Sequence, residues 1–474
     1  MLIFLGVENF AKIEKAKVCI NSYTLLVGPN NSGKTYFMQL VQGVNERLID
    51  LVDGKAMKIL MQIEETASNI DTGINFEYRS YVISQDNISR FVAYLNTKLN
   101  KKKEQIIREI FGREVPVGKL YIEVSLEKEN YEIMVCNDVK ALNTIKFMQG
   151  NMKSLLENAV ASMYDYTIGT LVKRNDDKSE ENIIRYFLFA GNDDLRMVTT
   201  SLESLFGCRG LFLPASRAGL MLLYRDFFAI KTDDVISYQV KHEEIIEKNN
   251  DSNLTQPVYQ FLRFLQTYSI NDSRMKEYEM EISFFEENLI EGHLSTNSHN
   301  NFSYYSNADH VRIPMYMASS MINEIAPFVF ALTSNNAYDG FVIDEIEASL
   351  HPQKQLELVR FLNRLSNKEI KLILSTHSDT FASKVNNLYI LSNYVKQNKG
   401  KDILDKMGLE KEDLMSPDKL FVYEFVSQSN GKSIVKEIPG DSKAGFQFDL
   451  FTDSAMHLYN EALKIGEILQ DDQA

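Results

Sequence analysis

The run from Gly28 to Thr35, GPNNSGKT, constrains this chain more than any other feature. It fits G-x-x-x-x-G-K-[ST], is fed by the apolar residues Leu25, Leu26 and Val27, and is followed by a helix-forming stretch. Glycines in such a loop let backbone N–H groups wrap a chain of phosphates, and the helix N-terminus adds partial positive charge. Asn30, Asn31, Ser32, Gly33, Lys34 and Thr35 are therefore read as nucleotide-binding, with Lys34 reaching the β- and γ-phosphates and Thr35 offering its hydroxyl to Mg²⁺. Strand, glycine loop and helix in this order set the expected class as α/β.

A phosphate loop alone does not say whether a nucleotide is merely bound or also hydrolysed. The segment YDGFVIDEIEASLHPQKQ supplies the second half of a site. Its apolar strand Phe341-Val342-Ile343 ends in Asp344 and Glu345, at the strand edge where open α/β sheets bind ligands. One carboxylate there can hold Mg²⁺ and the next can orient and deprotonate a water. Pro352 then opens a helix whose Leu358, Phe361, Leu362 and Leu365 recur at helical spacing. A further apolar strand, Leu372 to Leu374, leaves His377 just beyond its end, beside the acid pair's strand, as a candidate sensor of the γ-phosphate.

Composition narrows the classes. A chain of 474 residues suggests two or three folding units at about 150 residues each. Hydrophobic residues at 44% and charged residues at 24% are ordinary for globular proteins. Nothing approaches the roughly 20 uninterrupted apolar residues of a membrane span, and MLIFLGVENFAKIEK reaches charge too early for a secretory signal, so a cytoplasmic protein with no membrane partner is expected. Sixty-five acidic against 51 basic residues give a formal charge of −14, which disfavours non-specific DNA binding. The densest basic stretch, Lys98 to Glu114, reads either as a solvated helix face or as a partner or nucleic-acid contact. Cys19, Cys136 and Cys208 match no metal spacing and are expected to be buried thiols.

Along the chain, LIFLGVENF and KVCINSYTLLVG read as two strands, and GINFEYRSYVIS and GKLYIEVSLEKENYEIMVCND as a second strand-rich zone, the latter a hairpin turning near Lys128 to Asn130. These place an ATPase lobe with a β subdomain at 1–137. A helical insertion is expected at 138–204, a return to the core sheet at 205–220 through LFLPASRAG, and a second helical insertion at 221–290, a candidate partner or dimer region. Residues 291–474 form the second lobe.

Phosphate loop, apolar strand with Asp-Glu, and strand with Ser-Thr-His-Ser resemble, in this order, the ATP-binding-cassette ATPases of the SMC and OLD type. DEIEASLHPQKQ is similar to the Asp-Glu-x-Glu-x-x-Leu-His-Pro run of OLD-like ATPases, and ENFAKIEKAKVCI to their N-terminal strand. The resemblance covers residues 1–45 and 290–395 well and the region between them only at LFLPASRAG. It implies an ABC-type head with a mixed sheet, an antiparallel β subdomain and a helical insertion, using ATP and Mg²⁺. Asp344 would be the magnesium-ligating acid, Glu345 the catalytic base and His377 the switch histidine. It also implies a homodimer, or a higher oligomer, around composite ATP sites. The signature loop of such dimers is replaced by MASSMINEIAPF, so Ser319 and Ser320 are either contacts to the partner's nucleotide, with Glu324 near them, or an ordinary helix cap. Met321 stands where the signature would carry glycine. Arg217, in PASRAG, is read equally as nucleotide- or dimer-facing or as a structural pair. After Leu391 no Asp-x-Asp pair of a nuclease domain appears. Stand-alone ATPases of this kind resemble subunits of anti-phage systems such as PARIS and Septu, which implies a separate effector, a nuclease or toxin. The alternative is a DNA-repair or chromosome-associated ATPase acting directly on DNA.

Overall fold

The computed structural model describes residues 2–60, 62–64, 78–125, 130–136, 172–174, 183–189, 209–240, 254–296, 302–398 and 401–471. Its class is α/β, built on a nine-stranded mixed sheet. Numbered in chain order, that sheet contains β1 (Leu2–Phe10), β2 (Ile13–Cys19), β3 (Tyr23–Val27), β6 (Lys119–Ser125), β10 (Gly210–Leu213), β14 (Gly340–Ile343), β15 (Lys371–Ser375), β16 (Leu420–Ser427) and β17 (Ser433–Ile438). The spatial order is β10-β14-β15-β3-β16-β17-β2-β1-β6. From β10 to β16 every pairing is parallel. The carboxyl ends of β3, β14 and β15 therefore lie along one edge, and all three sequence motifs leave the sheet there.

Alternation explains why these short strands read as unbroken apolar runs. Leu25, Leu211, Leu213, Phe341, Ile343, Leu372 and Leu374 enter the core on one face. Their neighbours Leu26, Phe212, Val342 and Ile373 enter a second core on the other. The first core is closed by helices including Gln256–Thr267, Ser320–Leu332, Pro352–Asn367 and Asp379–Asn398. The second is closed by the helices Lys34–Leu48 and Gln85–Phe111 together with β1, β2 and β6.

Among the described residues two smaller sheets complete the strands. β11 (Gly292–Thr296), β12 (Phe302–Ser306) and β13 (Arg312–Pro314) are antiparallel. β4 (Gln62–Glu64), β5 (Tyr78–Ser84), β7 (Asn130–Cys136), β9 (Ile183–Phe189) and β8 (Val172–Arg174) form a five-stranded sheet in that order.

Several elements depart from the sequence pattern. The run Lys17 to Gly28 is not one strand: β2 ends at Cys19, and Asn21 turns the chain while its Oδ1 accepts from Ile3 N at 2.8 Å. The expected hairpin after Gly118 does not form, because β6 pairs with β1 and β7 with β5 and β9. Alternating strands can join any edge with a matching face, and β1 offers β6 a specific one. Gly6 lies opposite Tyr121, and a Cβ there would run into the Tyr121 ring. Within 138–204, where helix is expected, the described residues 172–174 and 183–189 are strands. Residues 256–285 are largely helical as the pattern predicts, yet Phe261, Leu265 and Phe285 are fully buried in the main core. Among the described residues no helix is long and apolar enough to cross a membrane.

The basic stretch is the C-terminal half of the helix Gln85–Phe111, capped by Ser84 at one end and by left-handed Gly112 at the other. Lys98 pairs with Asp53, Arg108 with Glu114, and Lys103 donates to Gly118 O, so much of this charge is answered locally. Cys19 is buried as expected, with its thiol pushed up to about 12 by desolvation. Cys208 lies outside the described residues.

Candidate functional site

The glycine loop joins β3 to the helix Lys34–Leu48 and takes three left-handed residues to do so: Gly28 at φ 143°, Asn31 at 59° and Gly33 at 100°. Gly28 is required twice over, since a Cβ would also come within 2.8 Å of Phe425 O. Lys34 curls back over the loop and donates from Nζ to Gly28 O at 2.8 Å and Pro29 O at 2.9 Å. Burial pulls its ammonium down to about 8, with Asp344, Glu345 and Glu347 pulling the other way. The free protein therefore loses the Lys34 charge as pH rises through about 8. Binding of a triphosphate that needs that charge must protonate Lys34 above this pH, and affinity is expected to fall toward tenfold per pH unit. Calorimetric titration of ATP at pH 7 to 9.5, in buffers of differing ionisation enthalpy, reads both the loss and the proton uptake.

The acid pair sits directly across from the loop. Thr35 Oγ1 donates to Asp344 Oδ2 at 2.6 Å, and Ser375 Oγ donates to Asp344 Oδ1, also at 2.6 Å. Asp344 is buried, and among the described residues both its oxygens are met by hydroxyls rather than by a cation. The same Ser375 Oγ accepts from Glu345 N at 2.8 Å. One serine thus fixes both acids. Glu345 adopts φ 46°, a left-handed conformation costing about 1–3 kcal/mol in a non-glycine residue, and its side chain is half-buried.

His377 follows β15, as its position in the sequence implies. Its N–H donates to Glu347 Oε1 at 2.6 Å, while Thr376 Oγ1 donates to Glu347 Oε2 at 2.8 Å. Burial, then the Lys34 ammonium, hold the imidazole below its ordinary value, against the pull of Glu347, Glu345 and Asp344. It is accordingly neutral at pH 7 and able to donate one ring N–H. Ser378 Oγ donates to Gln355 Oε1 at 2.5 Å, and Gln355 Nε2 donates to Leu350 O, which ties the histidine loop to the helix Pro352–Asn367.

Arg217 resolves toward the structural pair. It is fully buried, and its guanidinium donates to Glu324 O at 3.1 Å, Pro214 O at 3.1 Å, Asp344 O at 2.7 Å and Glu345 O at 3.2 Å. Its Nε also lies 2.9 Å from Glu324 Oε2, a charge contact without hydrogen-bond alignment. Burial depresses the guanidinium and raises the Glu324 carboxyl, each opposed by the other's charge. Arg217 thus clamps the backbone of both acids to the helix Ser320–Leu332.

Ser319 and Ser320 are exposed at the start of that helix. Ser319 is its N-cap, accepting from Ile322 N at 3.3 Å. Asn323 Nδ2 donates to Met315 O and Ser319 O, which rigidifies the approach to the helix. No hydrogen bond among the described residues brings either serine to the chain's own phosphate loop.

The donor set at Thr35 and Asp344 fits Mg²⁺: a hydroxyl and a carboxylate, both hard oxygens, 2.6 Å apart beside a phosphate-binding loop. Glu347, Ser375 and Gln355 were given no role by sequence reasoning. Glu347 stands in the Asp-Glu-x-Glu run and Ser375 in the Ser-Thr-His-Ser run, so a signal was present for both; Gln355 carried none.

Three solved structures similar to this chain share 10–13% identity with it. An Smc head bound to the C-winged helix domain of ScpA covers 92% of this chain and 97% of its own, at TM-score 0.34 and 13% identity. An Smc head with an extended coiled coil bound to the C-terminal domain of ScpA, derived from Pyrococcus furiosus, covers 97% and 99%, at TM-score 0.31 and 13% identity. The SMC head domain from Thermotoga maritima covers 92% and 99%, at TM-score 0.31 and 10% identity. No curated protein matches the chain. The AAA_15 profile, described as an AAA ATPase domain, matches residues 1–382, and with the phosphate loop and acid pair inside that span the chain belongs to this family of ATPase domains.

Proposed function

We propose that this chain binds and hydrolyses ATP with Mg²⁺, that two copies close head to head around the nucleotide in the manner of ABC-type, SMC- and OLD-like ATPases, and that closure controls a separate effector chain in bacterial anti-phage defence. The observation that carries the reading is the link from Thr35 through Asp344 to Ser375, which joins the phosphate loop to the acid-bearing strand across 2.6 Å contacts. Bound at Thr35 and Asp344, Mg²⁺ would neutralise phosphate charge.

The chain's own groups supply the rest. Lys34, now satisfied by loop carbonyls, exchanges them for phosphate oxygens, which are better acceptors for an ammonium. Glu345 is oriented by Ser375 through its backbone and by Arg217 through its carbonyl, and accepts the proton of the attacking water. His377, held by Glu347 at its backbone, donates a ring N–H to the terminal phosphate. The exposure of Ser319 and Ser320 on a capped helix start supports their facing the nucleotide of a second copy, in an isologous dimer. The effector and its setting rest on the sequence resemblance.

Light scattering with Mg-ATP tests closure: the Glu345→Gln chain is expected to double in mass, and a further Ser320→Glu change to keep it monomeric. A mass unaltered by ATP overturns the dimer. Plaque assays on cells carrying this gene with its neighbours test the setting, protection being expected to vanish with Lys34→Ala. Strong stimulation of turnover by linear DNA would favour the alternative of an ATPase acting directly on DNA.

A further inference from the structure

Residue 36 is the first helical residue beyond the phosphate loop's threonine, and here it is a tyrosine. The residue is 38% exposed. One face stacks on Phe111 with centroids 5.6 Å apart and planes at 24°, and Phe111 in turn leans on Phe10 of β1 at 5.7 Å. The phenol is held as well: Arg113 Nη2 donates to Tyr36 Oη at 3.0 Å. Left-handed Gly112, at φ 68°, ends the helix Gln85–Phe111 and brings the exposed Arg113 to the tyrosine's hydroxyl. The end of the basic stretch thus has a use distinct from the locally answered charges before it.

From these contacts we infer that Tyr36, backed by Phe111 and steered by Arg113, is the stacking platform for the base of the nucleoside triphosphate; the inference rests on the nucleotide reading above. The loop has two sides. Thr35 reaches toward Asp344, just past the end of β14, and Asp344, Glu345 and His377 mark where the terminal phosphate reacts. The nucleoside is the opposite end of the ligand and must leave the loop away from β14. On that opposite side Gly33 abuts Ile13 of β2, a Cβ there falling 3.0 Å from Ile13 Cγ1, and Tyr36 rests on Phe111 beside β1. A flat aromatic with one face packed and its rotamer pinned by a hydrogen bond presents its other face at little entropic cost. Every base has a π-face that such a ring can cover, and the adjacent guanidinium adds cation–π attraction.

Calorimetric titration of the full chain with Mg-ATP and, separately, with inorganic tripolyphosphate tests this. Tyr36→Ala is expected to weaken ATP about tenfold while leaving tripolyphosphate unchanged. Tyr36→Phe, which keeps the ring, is expected to stay within about threefold of wild type for ATP, and Tyr36→Leu, which keeps apolar bulk alone, to behave like Tyr36→Ala. Equal ATP affinity in Tyr36→Ala and wild type overturns the platform, as does equal weakening of both ligands, which would mark a distorted loop. A wild-type chain that binds neither ligand overturns the nucleotide reading and the platform with it.

Discussion

Replacing Glu345 by Gln is expected to leave ATP affinity within about twofold of wild type and to lower turnover about a hundredfold to ten-thousandfold, the range of a lost general base. Gln has nearly the shape of Glu, so the left-handed backbone at residue 345 and the hydrogen bond from its N–H to Ser375 Oγ are retained. What disappears is the capacity to accept a proton. The strained conformation is held from two directions, by Ser375 at the N–H and by Arg217 at the carbonyl, which is how a site keeps a residue where its own backbone preference would not. Phosphate release under single-turnover conditions, beside calorimetric affinity, separates chemistry from binding. Undiminished release in Glu345→Gln would move the base elsewhere, with Glu347 the next carboxylate to examine.

Arg217→Met is expected to destabilise the fold by about 3–5 kcal/mol, the range for breaking a buried ion pair from one side. The loss has two sources. The Glu324 carboxylate is left in the core with its charge unanswered, and the carbonyls of Pro214, Asp344 and Glu345 lose a donor. Adding Glu324→Gln to Arg217→Met removes the stranded charge and should recover part of the loss, giving a coupling between the two sites in a double-mutant cycle. Arg217→Lys keeps the charge but not the planar fork, and falls between. Urea denaturation of wild type, Arg217→Met, Glu324→Gln, the double variant and Arg217→Lys measures this. Strict additivity of the Arg217 and Glu324 changes would show that the pair is not coupled.

The sequence made the parallel half of the sheet legible because β3, β14 and β15 are buried on both faces and so read as unbroken apolar runs ending in polar motifs. It made the phosphate loop and acid pair legible because their spacing is local. Long-range choices were not legible. β6 and β7 have the same alternation, and β6 pairs with β1 of the main sheet, where the Tyr121 ring lies over Gly6. Arg217 was equally opaque: its anchor Glu324 lies 107 residues away and the Asp344 and Glu345 carbonyls it holds 127 and 128 away, so local pattern could not distinguish a buried clamp from an exposed contact. Ser375 was visible as a motif residue, but its double engagement with Asp344 and Glu345 depends on β14 and β15 being neighbours in register.

Thr35 and Asp344 are proposed to hold the magnesium of the ATP site between the phosphate loop and the end of β14. Phosphate release from ATP is measured for the wild-type chain and for Asp344→Asn, each with Mg²⁺ and after chelation. Release by the wild type that chelation abolishes is expected, with a loss of about a hundredfold or more in Asp344→Asn. Release that survives chelation, or an Asp344→Asn chain as fast as wild type, would overturn that assignment.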